Sequence, residues 1–293
     1  MDHFVLAADN NVVGPLCVVL RSLKLSHDPA FTVHLFDCGI APDNLARVVG
    51  YAASIELDLQ IYDLDVAPLE EMRVRVAENP NLVAASFARL MMGSLLDDAI
   101  TRAVYLDTDV VVTRGLHELF TMPMDGAIIA AVNEGNDHLV DLGISTADYF
   151  NSGVCVVDLV AWRAEGIEAA TLDVIDRQGS YCMFFDQCAL NIALHGRVKY
   201  LPGDYNHYTL APGGHTTGGV PAVVHYTAPP KPWDAPQKHA WGALYCVMSE
   251  TTPWPTDFNT LAEAAERRRK GHYRRLNPFF RAILKHARKR GAL

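Results

Sequence analysis

Hydrophobic positions in the first 62 residues of the chain alternate between two spacings. Residues 4–8, 31–36 and 55–62 form short apolar or alternating runs typical of strands, whereas residues 16–23 and 41–53 carry apolar side chains at helical spacing. Strands and helices in this order are typical of a doubly wound α/β fold. The pattern therefore predicts a mostly parallel sheet with helices on its faces.

The alternation of predicted strands and helices continues to about residue 194. The further predicted strands are residues 103–106, 127–132 and 153–159, and the further predicted helices are residues 85–96, 115–120, 161–177 and 185–194. From residue 199 to 254 the chain is rich in Gly, Pro and aromatic residues, and only short strands such as residues 223–226 are predicted. We expect one α/β domain over residues 1–260 and a C-terminal tail over residues 261–293.

Composition excludes several broad classes of protein. Half of the 293 residues are hydrophobic and 20% are charged, which is a globular and not a disordered composition. No apolar run approaches the ~18 residues of a membrane span, and the first ten residues carry acids where a signal peptide needs bases. We therefore expect a cytoplasmic protein. Its six cysteines form no C-x-x-C pair and are predicted to be free thiols.

Charge is distributed unevenly between the two parts of the chain. The net charge is −9, yet residues 266–293 carry eleven Lys or Arg against one acid. The preceding 265 residues carry 14 bases against 33 acids, a net charge of −19. An acidic domain with a basic tail argues against nucleic-acid binding by the domain and favours an anionic partner for the tail.

The tail has the pattern of an amphipathic helix. Asn277 and Pro278 suit the N-cap and first position of a helix, and the apolar side chains that follow share one face, with Lys and Arg on the others. Aromatic anchors backed by many bases favour a helix lying on an anionic membrane surface. The alternative is that the apolar face docks on the acidic domain and the bases are solvated.

Two carboxylates follow the buried strand at residues 103–106. Asp107 and Asp109 are one residue apart and can both reach one hard cation, since ligands of parallel sheets lie beyond the carboxyl ends of the strands. The alternative is a purely structural role, in which these acids terminate the strand and cap the helix predicted at residues 115–120. An Asp-x-Asp motif alone is weak evidence for a metal site, because Asp63 and Asp65 form a second one in the same chain.

A phosphatase of the haloacid-dehalogenase type is a rival interpretation of this motif. Such enzymes place Asp-x-Asp after a buried strand, with the first Asp as nucleophile. Their motif normally opens the chain and is followed by Gly-Thr. Here about a hundred residues precede Asp107, and three valines follow Asp109. The phosphatase is therefore the less favoured reading.

A second candidate group lies between His225 and Trp233. A neutral imidazole is a good third ligand for a cation held by two carboxylates, and Lys231 brings a positive charge suited to phosphate. Three prolines stiffen this segment, which reduces the entropy lost on closing around a ligand. An ordinary Pro-rich turn with an exposed lysine explains the same spacing.

Six motifs taken together resemble glycosyltransferase family 8, which includes glycogenin and bacterial lipooligosaccharide galactosyl- and glucosyltransferases. The resemblance covers residues 3 to about 241 and rests on the order and spacing of AADNN at 7–11, SFARL at 86–90, YLDTD at 105–109, YFNSGV at 149–154, FDQ at 185–187 and residues 225–233. The basic tail also resembles the membrane-associating C-terminus of the bacterial members.

The resemblance implies a GT-A fold and a retaining transfer of galactose or glucose from a UDP-sugar, with Mn²⁺ or Mg²⁺ as cofactor. The implied acceptor is a glycan or a lipid-linked oligosaccharide, and the implied location is the inner face of the cytoplasmic membrane. By position, Asp107, Asp109 and His225 would ligate the metal. The residues implied to hold the UDP-sugar are Ala7, Ala8, Asp9, Asn11, Arg89, Asp107, Thr108, Ala228 and Lys231, and those implied to surround the anomeric carbon are Asn151, Asp186 and Gln187.

The chain departs from the family pattern at three places. Ala228, three residues after His225, stands where the family usually has a glycine. Cys188 stands where an acid often follows the Asp-Gln pair. Asn133-Glu134 occupies a position where an acidic residue often meets the sugar or the acceptor. Without an acid at position 188, a covalent route through that residue is not available, so we expect same-face attack. The first two departures also motivate an alternative, a noncatalytic nucleotide-sugar-binding module.

Overall fold

The computed structural model describes residues 1–73, 84–209, 219–227, 229–234 and 240–256. The predictions made for Ala228 and for the tail at residues 261–293 fall outside these ranges. Within them, no helix is both long enough and apolar enough to cross a membrane.

The described residues form two sheets. The larger sheet contains β1 (Asp2–Ala8), β2 (Phe31–Asp37), β3 (Asp58–Asp63), β4 (Arg102–Leu106), β6 (Ile129–Asn133), β7 (Phe150–Asp158) and β8 (Val198–Leu201). The smaller contains β5 (Val110–Val112), β9 (His207–Tyr208) and β10 (Val223–His225). The order of the larger sheet is β3-β2-β1-β4-β7-β6-β8.

The larger sheet confirms the predicted α/β fold. β1 pairs in parallel with β2 and β4, β2 with β3, and β6 with β8, while β7 runs antiparallel to both of its neighbours. The carboxyl ends of β1 and β4 therefore lie side by side at one edge, where Asp9 and Asp107 follow them.

Helices flank the sheets. They are α1 (Val13–Ser26), α2 (Pro42–Ser54), α3 (Ala67–Arg73), α4 (Met92–Leu95), α5 (His117–Thr121), α6 (Leu159–Ala164), α7 (Ile167–Gln178), α8 (Phe185–Ala193) and α9 (Ala240–Ser249). Alternating side chains of β4 enter the two main clusters of the core. Ala103 and Tyr105 pack on one face of the sheet, and Val104 and Leu106 on the other.

Several element boundaries differ from the predicted ones for local reasons. The third strand begins at Asp58 instead of residue 55, because Ile55 still caps α2 and Glu56 adopts a positive φ of 52°. Residues predicted as one helix from 161 to 177 form α6 and α7, interrupted at Gly166 with a φ of 64°. Most of the helix predicted over 85–96 is a 3-10 helix, Ala84–Met91, followed by α4.

Long-range pairing forms the smaller sheet, which was only partly predicted. β10 was predicted, whereas β5, which has the same length of three residues, and the two-residue β9 were not. β10 pairs antiparallel with β5 and parallel with β9, and His225 lies opposite both Val110 and Tyr208. This pairing brings the end of β10 beside the Asp107–Asp109 turn. All six cysteines are buried free thiols, as predicted.

Candidate functional site

The two carboxylates after β4 and the histidine at the end of β10 converge. Ligand atoms of Asp107, Asp109 and His225 all lie within 4.8 Å of one another. His225 Nε2 is 3.0 Å from Asp109 Oδ1 and 3.9 Å from Asp107 Oδ2. Backbone pairing fixes this approach, since Tyr226 N donates to Asp109 O at 2.9 Å. Two carboxylate oxygens and one imidazole nitrogen are a donor set suited to a divalent cation.

The floor of this cluster is a glycine with no room for a side chain. A Cβ at Gly153 would overlap with His225 Cε1 and lie 2.5 Å from Asp107 Oδ2. Gly153 O also accepts a 2.8 Å hydrogen bond from Asp107 N. The absence of a Cβ therefore permits the side chains to approach one another above β7.

Lys231 contributes positive charge to the cluster. Its Nζ lies 2.6 Å from Asp109 Oδ2 and donates to Tyr226 O at 2.6 Å. Burial alone would raise the pKa of the Asp109 carboxyl, but His225 and Lys231 outweigh it and hold that pKa well below its ordinary value. The Asp109 carboxyl is therefore ionised at neutral pH. Thr108, between the two acids, is partly buried.

A buried arginine joins the metal-type cluster to Asp186. Arg89 Nη2 is 2.9 Å from Asp107 Oδ1, and Arg89 Nε is 2.8 Å from Asp186 Oδ2. Its Nη1 donates to Ser152 O at 2.7 Å, and the guanidinium lies 4.3 Å from the centroid of the Tyr105 ring. Burial raises the pKa of Asp186 to about 6 despite the arginine.

Gln187 and Asn151 meet at Glu134. Gln187 Nε2 donates to Glu134 Oε2 at 2.6 Å and to the Tyr149 hydroxyl at 3.1 Å. Asn151 Nδ2 donates to Glu134 Oε1 at 3.5 Å. Ser152 N donates to Gln187 Oε1 at 3.0 Å, which fixes the orientation of that amide. A carboxylate and two amides thus form one connected network beside the Asp-Asp-His cluster.

Cys188 lies in the core and reaches this network through the Tyr149 hydroxyl. It is fully buried, its Sγ lies 3.2 Å from the Tyr149 hydroxyl, and it accepts from Phe184 N at 3.3 Å. Burial raises the pKa of its thiol. A buried protonated thiol is a poor nucleophile, and its contacts are those of a packing residue.

The residues predicted to bind the nucleotide lie at the carboxyl end of β1. Ala7 and Ala8 are its last two residues, and both are buried. Asp9 Oδ1 accepts from Asn11 N at 2.8 Å, and Asp9 Oδ2 accepts from Asn11 Nδ2 at 3.1 Å. Because β1 pairs with β4, these residues share the sheet edge with Asp107.

Some contributors to the site escaped the sequence analysis. Tyr149 and Ser152 lie in the motif at residues 149–154 but carry no predicted role, and Asn206 lies outside all six motifs. Asn206 Oδ1 lies 2.8 Å from His225 Nδ1, and its Nδ2 donates to Asn151 Oδ1 at 2.9 Å. Asn206 precedes a two-residue strand, which leaves no local signal.

Comparisons with known proteins agree with this arrangement. The profile of "Glycosyl transferase family 8" matches residues 3–236. General stress protein A of Bacillus subtilis is 26% identical over 275 residues, covering 87% of this chain and 95% of that protein. The lipopolysaccharide 1,2-glucosyltransferase of Escherichia coli K12 is 27% identical over 209 residues, covering 62% of this chain and 60% of that protein.

Solved structures share the fold. The galactosyltransferase LgtC, solved with donor and acceptor sugar analogs, has a TM-score of 0.76 at 23% identity, covering 86% of this chain and 96% of that chain. The bifunctional glycosyltransferase WbbM has a TM-score of 0.73 at 19% identity, covering 89% of this chain and 51% of that chain.

The seven-stranded sheet therefore belongs to a GT-A fold. The chain belongs to glycosyltransferase family 8, because the family profile covers most of its length.

Proposed function

We propose that this glycosyltransferase is a retaining enzyme that moves galactose or glucose from a UDP-sugar to a glycan and depends on Mn²⁺. The observation that carries the proposal is the convergence of Asp107, Asp109 and His225 at the carboxyl edge of the sheet. We assign the catalytic domain to residues 1–260.

The residues of the cluster fit a divalent cation. Asp107, Asp109 and His225 would hold it, and the glycine beneath them leaves room for their side chains to approach one another. When bound, the cation supplies positive charge that stabilises the diphosphate as it leaves the sugar. Lys231, whose ammonium reaches Asp109 Oδ2, adds a second positive charge on the same side.

The donor would lie along the edge formed by β1 and β4. The end of β1 would bind the uridine through Ala7, Ala8, Asp9 and Asn11, and Thr108 would line the path to the diphosphate. Arg89 pairs with Asp107 and Asp186, and it would orient both carboxylates toward the donor. Ala228 would add a backbone contact to the phosphates.

Same-face attack is the retaining route that these residues support. The bond between the anomeric carbon and the β-phosphate oxygen breaks, and its electron pair leaves with UDP. An acceptor hydroxyl attacks on the same face and gives its proton to the departing phosphate. Gln187 is a neutral amide, and Cys188 is turned toward Tyr149, so neither offers a good nucleophile. Asn151 and Asp186 would orient the sugar hydroxyls.

A lipid-linked oligosaccharide is the acceptor we favour, because such an acceptor lies at a membrane surface to which the basic tail could bind. A tail lying on the anionic inner face of the cytoplasmic membrane would bring the enzyme to an acceptor confined there. The E. coli relative is a lipopolysaccharide 1,2-glucosyltransferase, which supports an acceptor of this kind.

Release of UDP without acceptor tests the proposal. The purified chain is incubated with UDP-galactose, UDP-glucose and their N-acetyl forms, with Mn²⁺, with Mg²⁺ and with EDTA. We expect metal-dependent UDP release from at least one donor. Asp109→Asn should lower it by about 100-fold or more, as expected for losing one electrostatic contact to a developing charge.

The second Asp-x-Asp of the chain provides the matched control. Asp63 ends β3 and is exposed, so Asp63→Asn should leave UDP release unchanged. Metal-independent release, or full release by Asp109→Asn, would remove the metal assignment. UDP-sugar binding without any release, even with acceptor, would favour the noncatalytic binding module. The anomeric configuration of the transferred sugar, read by NMR, tests retention.

A further inference from the structure

Asn206 is a completely buried amide whose two ends face different parts of the site. It follows a 3-10 turn, Gly203–Tyr205, and immediately precedes β9. Parallel pairing of β9 with β10 holds it beside His225. Its Oδ1 lies 2.8 Å from His225 Nδ1, and its Nδ2 lies 2.9 Å from Asn151 Oδ1. None of its surface is exposed.

A backbone amide determines the direction of every hydrogen bond in this chain of contacts. Gly153 N can only donate, and it donates to Asn151 at 2.9 Å, so the atom it meets is the carbonyl oxygen Oδ1. The Asn206 atom facing the same oxygen must then be the NH₂ group. The other end of the Asn206 amide is therefore an oxygen, which accepts from His225 Nδ1–H.

This order of donors leaves Nε2 as the coordinating nitrogen of His225. A histidine that keeps its proton on Nδ1 presents the Nε2 lone pair to a metal. Nε2 is the atom that lies 3.0 Å from Asp109 Oδ1, so a bound cation would replace the proton shared between these two atoms, while Nδ1 keeps its own. A different tautomer would place a proton between the imidazole and the carboxylates and would exclude the cation.

We propose that Asn206 is a positioning residue that selects the metal-binding tautomer of His225 and ties the metal cluster to Asn151. This inference rests on the proposed metal site. The same bonds connect His225 through Asn151 to Glu134 and Gln187, so the metal ligand and the sugar-side network share one rigid support.

Variants at Asn206 separate its two hydrogen bonds. Asn206→Leu removes both hydrogen bonds. Asn206→Ala also removes both and introduces a smaller side chain, so it replaces the leucine variant if that variant does not fold. Asn206→Asp keeps an acceptor for His225 Nδ1–H but faces Asn151 Oδ1 with a second acceptor. Asn191→Leu is the matched control, because Asn191 is a buried amide whose hydrogen bonds to described residues go to the Phe150 backbone and Gln187 O.

Mn²⁺ binding is measured by electron paramagnetic resonance of the free ion, with and without UDP, on full-length variants whose folding is checked by circular dichroism. Asn206→Leu or Asn206→Ala should raise the Kd for Mn²⁺ about 10- to 100-fold, the usual effect of losing a partner of a metal-bound histidine. Asn206→Asp should bind Mn²⁺ nearly as well as the parent protein yet turn over at least about tenfold more slowly, because its contact to Asn151 is lost. Asn191→Leu should keep its Mn²⁺ affinity.

Unchanged Mn²⁺ affinity in both the leucine and alanine variants would overturn the inference. Equal losses in the leucine and aspartate variants, or an equal loss in Asn191→Leu, would overturn it as well. Asp109→Asn distinguishes the two proposals. If that variant loses Mn²⁺ while the Asn206 variants do not, only the role of Asn206 is wrong, and if it also binds Mn²⁺ normally, the metal site itself is wrong.

Discussion

Arg89 and Asp186 form a buried ion pair, with Nε 2.8 Å from Oδ2 and both side chains less than a tenth exposed. The same guanidinium also holds Asp107 at 2.9 Å. One arginine therefore compensates two carboxylates of the candidate site. Removing one member of a buried pair leaves an uncompensated charge, which costs more than the pair contributes while intact.

Arg89→Met should destabilise the protein by about 3–5 kcal/mol for this reason. The free energy of unfolding is measured by guanidinium denaturation. Adding Asp186→Asn to Arg89→Met should recover part of the loss, since one of the two orphaned charges disappears. Arg177→Met is the control, because Arg177 and Asp173 form an exposed pair on α7, and it should change stability by less than about 0.5 kcal/mol. Equal effects of the two arginine variants would contradict this account.

Gly153→Ala should abolish metal-dependent UDP release while the fold survives. The added Cβ would lie 2.5 Å from Asp107 Oδ2 and overlap with His225 Cε1, so the ligands must separate. We expect a loss of about 100-fold or more, comparable to removing a ligand. Gly50→Ala in α2 is the control, because nothing lies within 4 Å of its Cβ. That change should leave UDP release intact and stabilise the helix by up to about 1 kcal/mol. Normal activity of Gly153→Ala would show that the ligands tolerate a wider spacing.

Gln187 and Cys188 are adjacent in α8 but should respond differently to alanine. Gln187→Ala removes the 2.6 Å bond to Glu134 and should lower kcat strongly, as should Asp186→Asn, which breaks the pair with Arg89. Cys188→Ala should keep most activity, because its Sγ contacts Tyr149 and Phe184 N inside the core. Steady-state kinetics with the hydrolysed UDP-sugar measures the difference. A sugar adduct on Cys188, found by mass spectrometry after incubation with donor alone, would overturn same-face attack.

The local sequence pattern was sufficient to predict the position of Asp107 but not that of His225. Asp107 follows a buried strand whose apolar run is visible in the sequence, so its place at the sheet edge could be predicted. His225 reaches Asp109 only because β10 pairs with β5 more than a hundred residues earlier in the chain. Spacing cannot reveal such a pairing, so His225 was a candidate ligand on its chemistry alone, and the family resemblance was needed to single it out among the twelve histidines.

Side-chain networks were the least predictable feature. Arg89 is implied to contact the donor, which stays a prediction, and no sequence pattern indicated that it also contacts Asp107, Asp186 and Ser152. Asn206 is placed by a 3-10 turn and a two-residue strand, neither of which has a periodic pattern. The hydrogen-bond partners of Arg89 and Asn206 depend on how distant segments of the chain pack, and hydrophobic periodicity does not encode that packing.

Stability should fall as the solution is acidified, partly because of His34. Its Nδ1 lies 2.9 Å from the Tyr62 hydroxyl and its Nε2 lies 3.0 Å from His3 Nδ1. Burial, with His3 adding repulsion, lowers the pKa of His34 to about 4. The His34 side chain of the unfolded chain therefore takes up a proton near pH 6.5, whereas that of the folded chain stays neutral until the pH approaches 4. The contribution of neutral His34 to the free energy of unfolding is complete above pH 6.5 and is lost as the pH falls towards 4. The loss amounts to at most about 3 kcal/mol.

Guanidinium unfolding at several values between pH 7.5 and 4.5 measures this effect. His34→Gln should show a flatter dependence on pH than the parent protein over this range. The exposed His195 provides the control, and His195→Gln should leave the pH dependence unchanged. Identical slopes for His34→Gln and the parent would show that His34 does not titrate as its burial requires.

Deleting residues 266–293 should separate membrane binding from chemistry. The deletion removes eleven bases and the apolar run after Asn277, and each base near an anionic leaflet contributes about 1 kcal/mol to binding. We expect the truncated protein to release UDP normally, to lose sedimentation with phosphatidylserine-containing liposomes, and to transfer more slowly only to lipid-embedded acceptor. A full-length variant with serine at Phe279 and Phe280 keeps every charge, so its weaker sedimentation would isolate the aromatic anchors. If the truncated protein still sediments at low salt, or the full-length protein never does, the apolar face of the tail packs against the acidic domain instead.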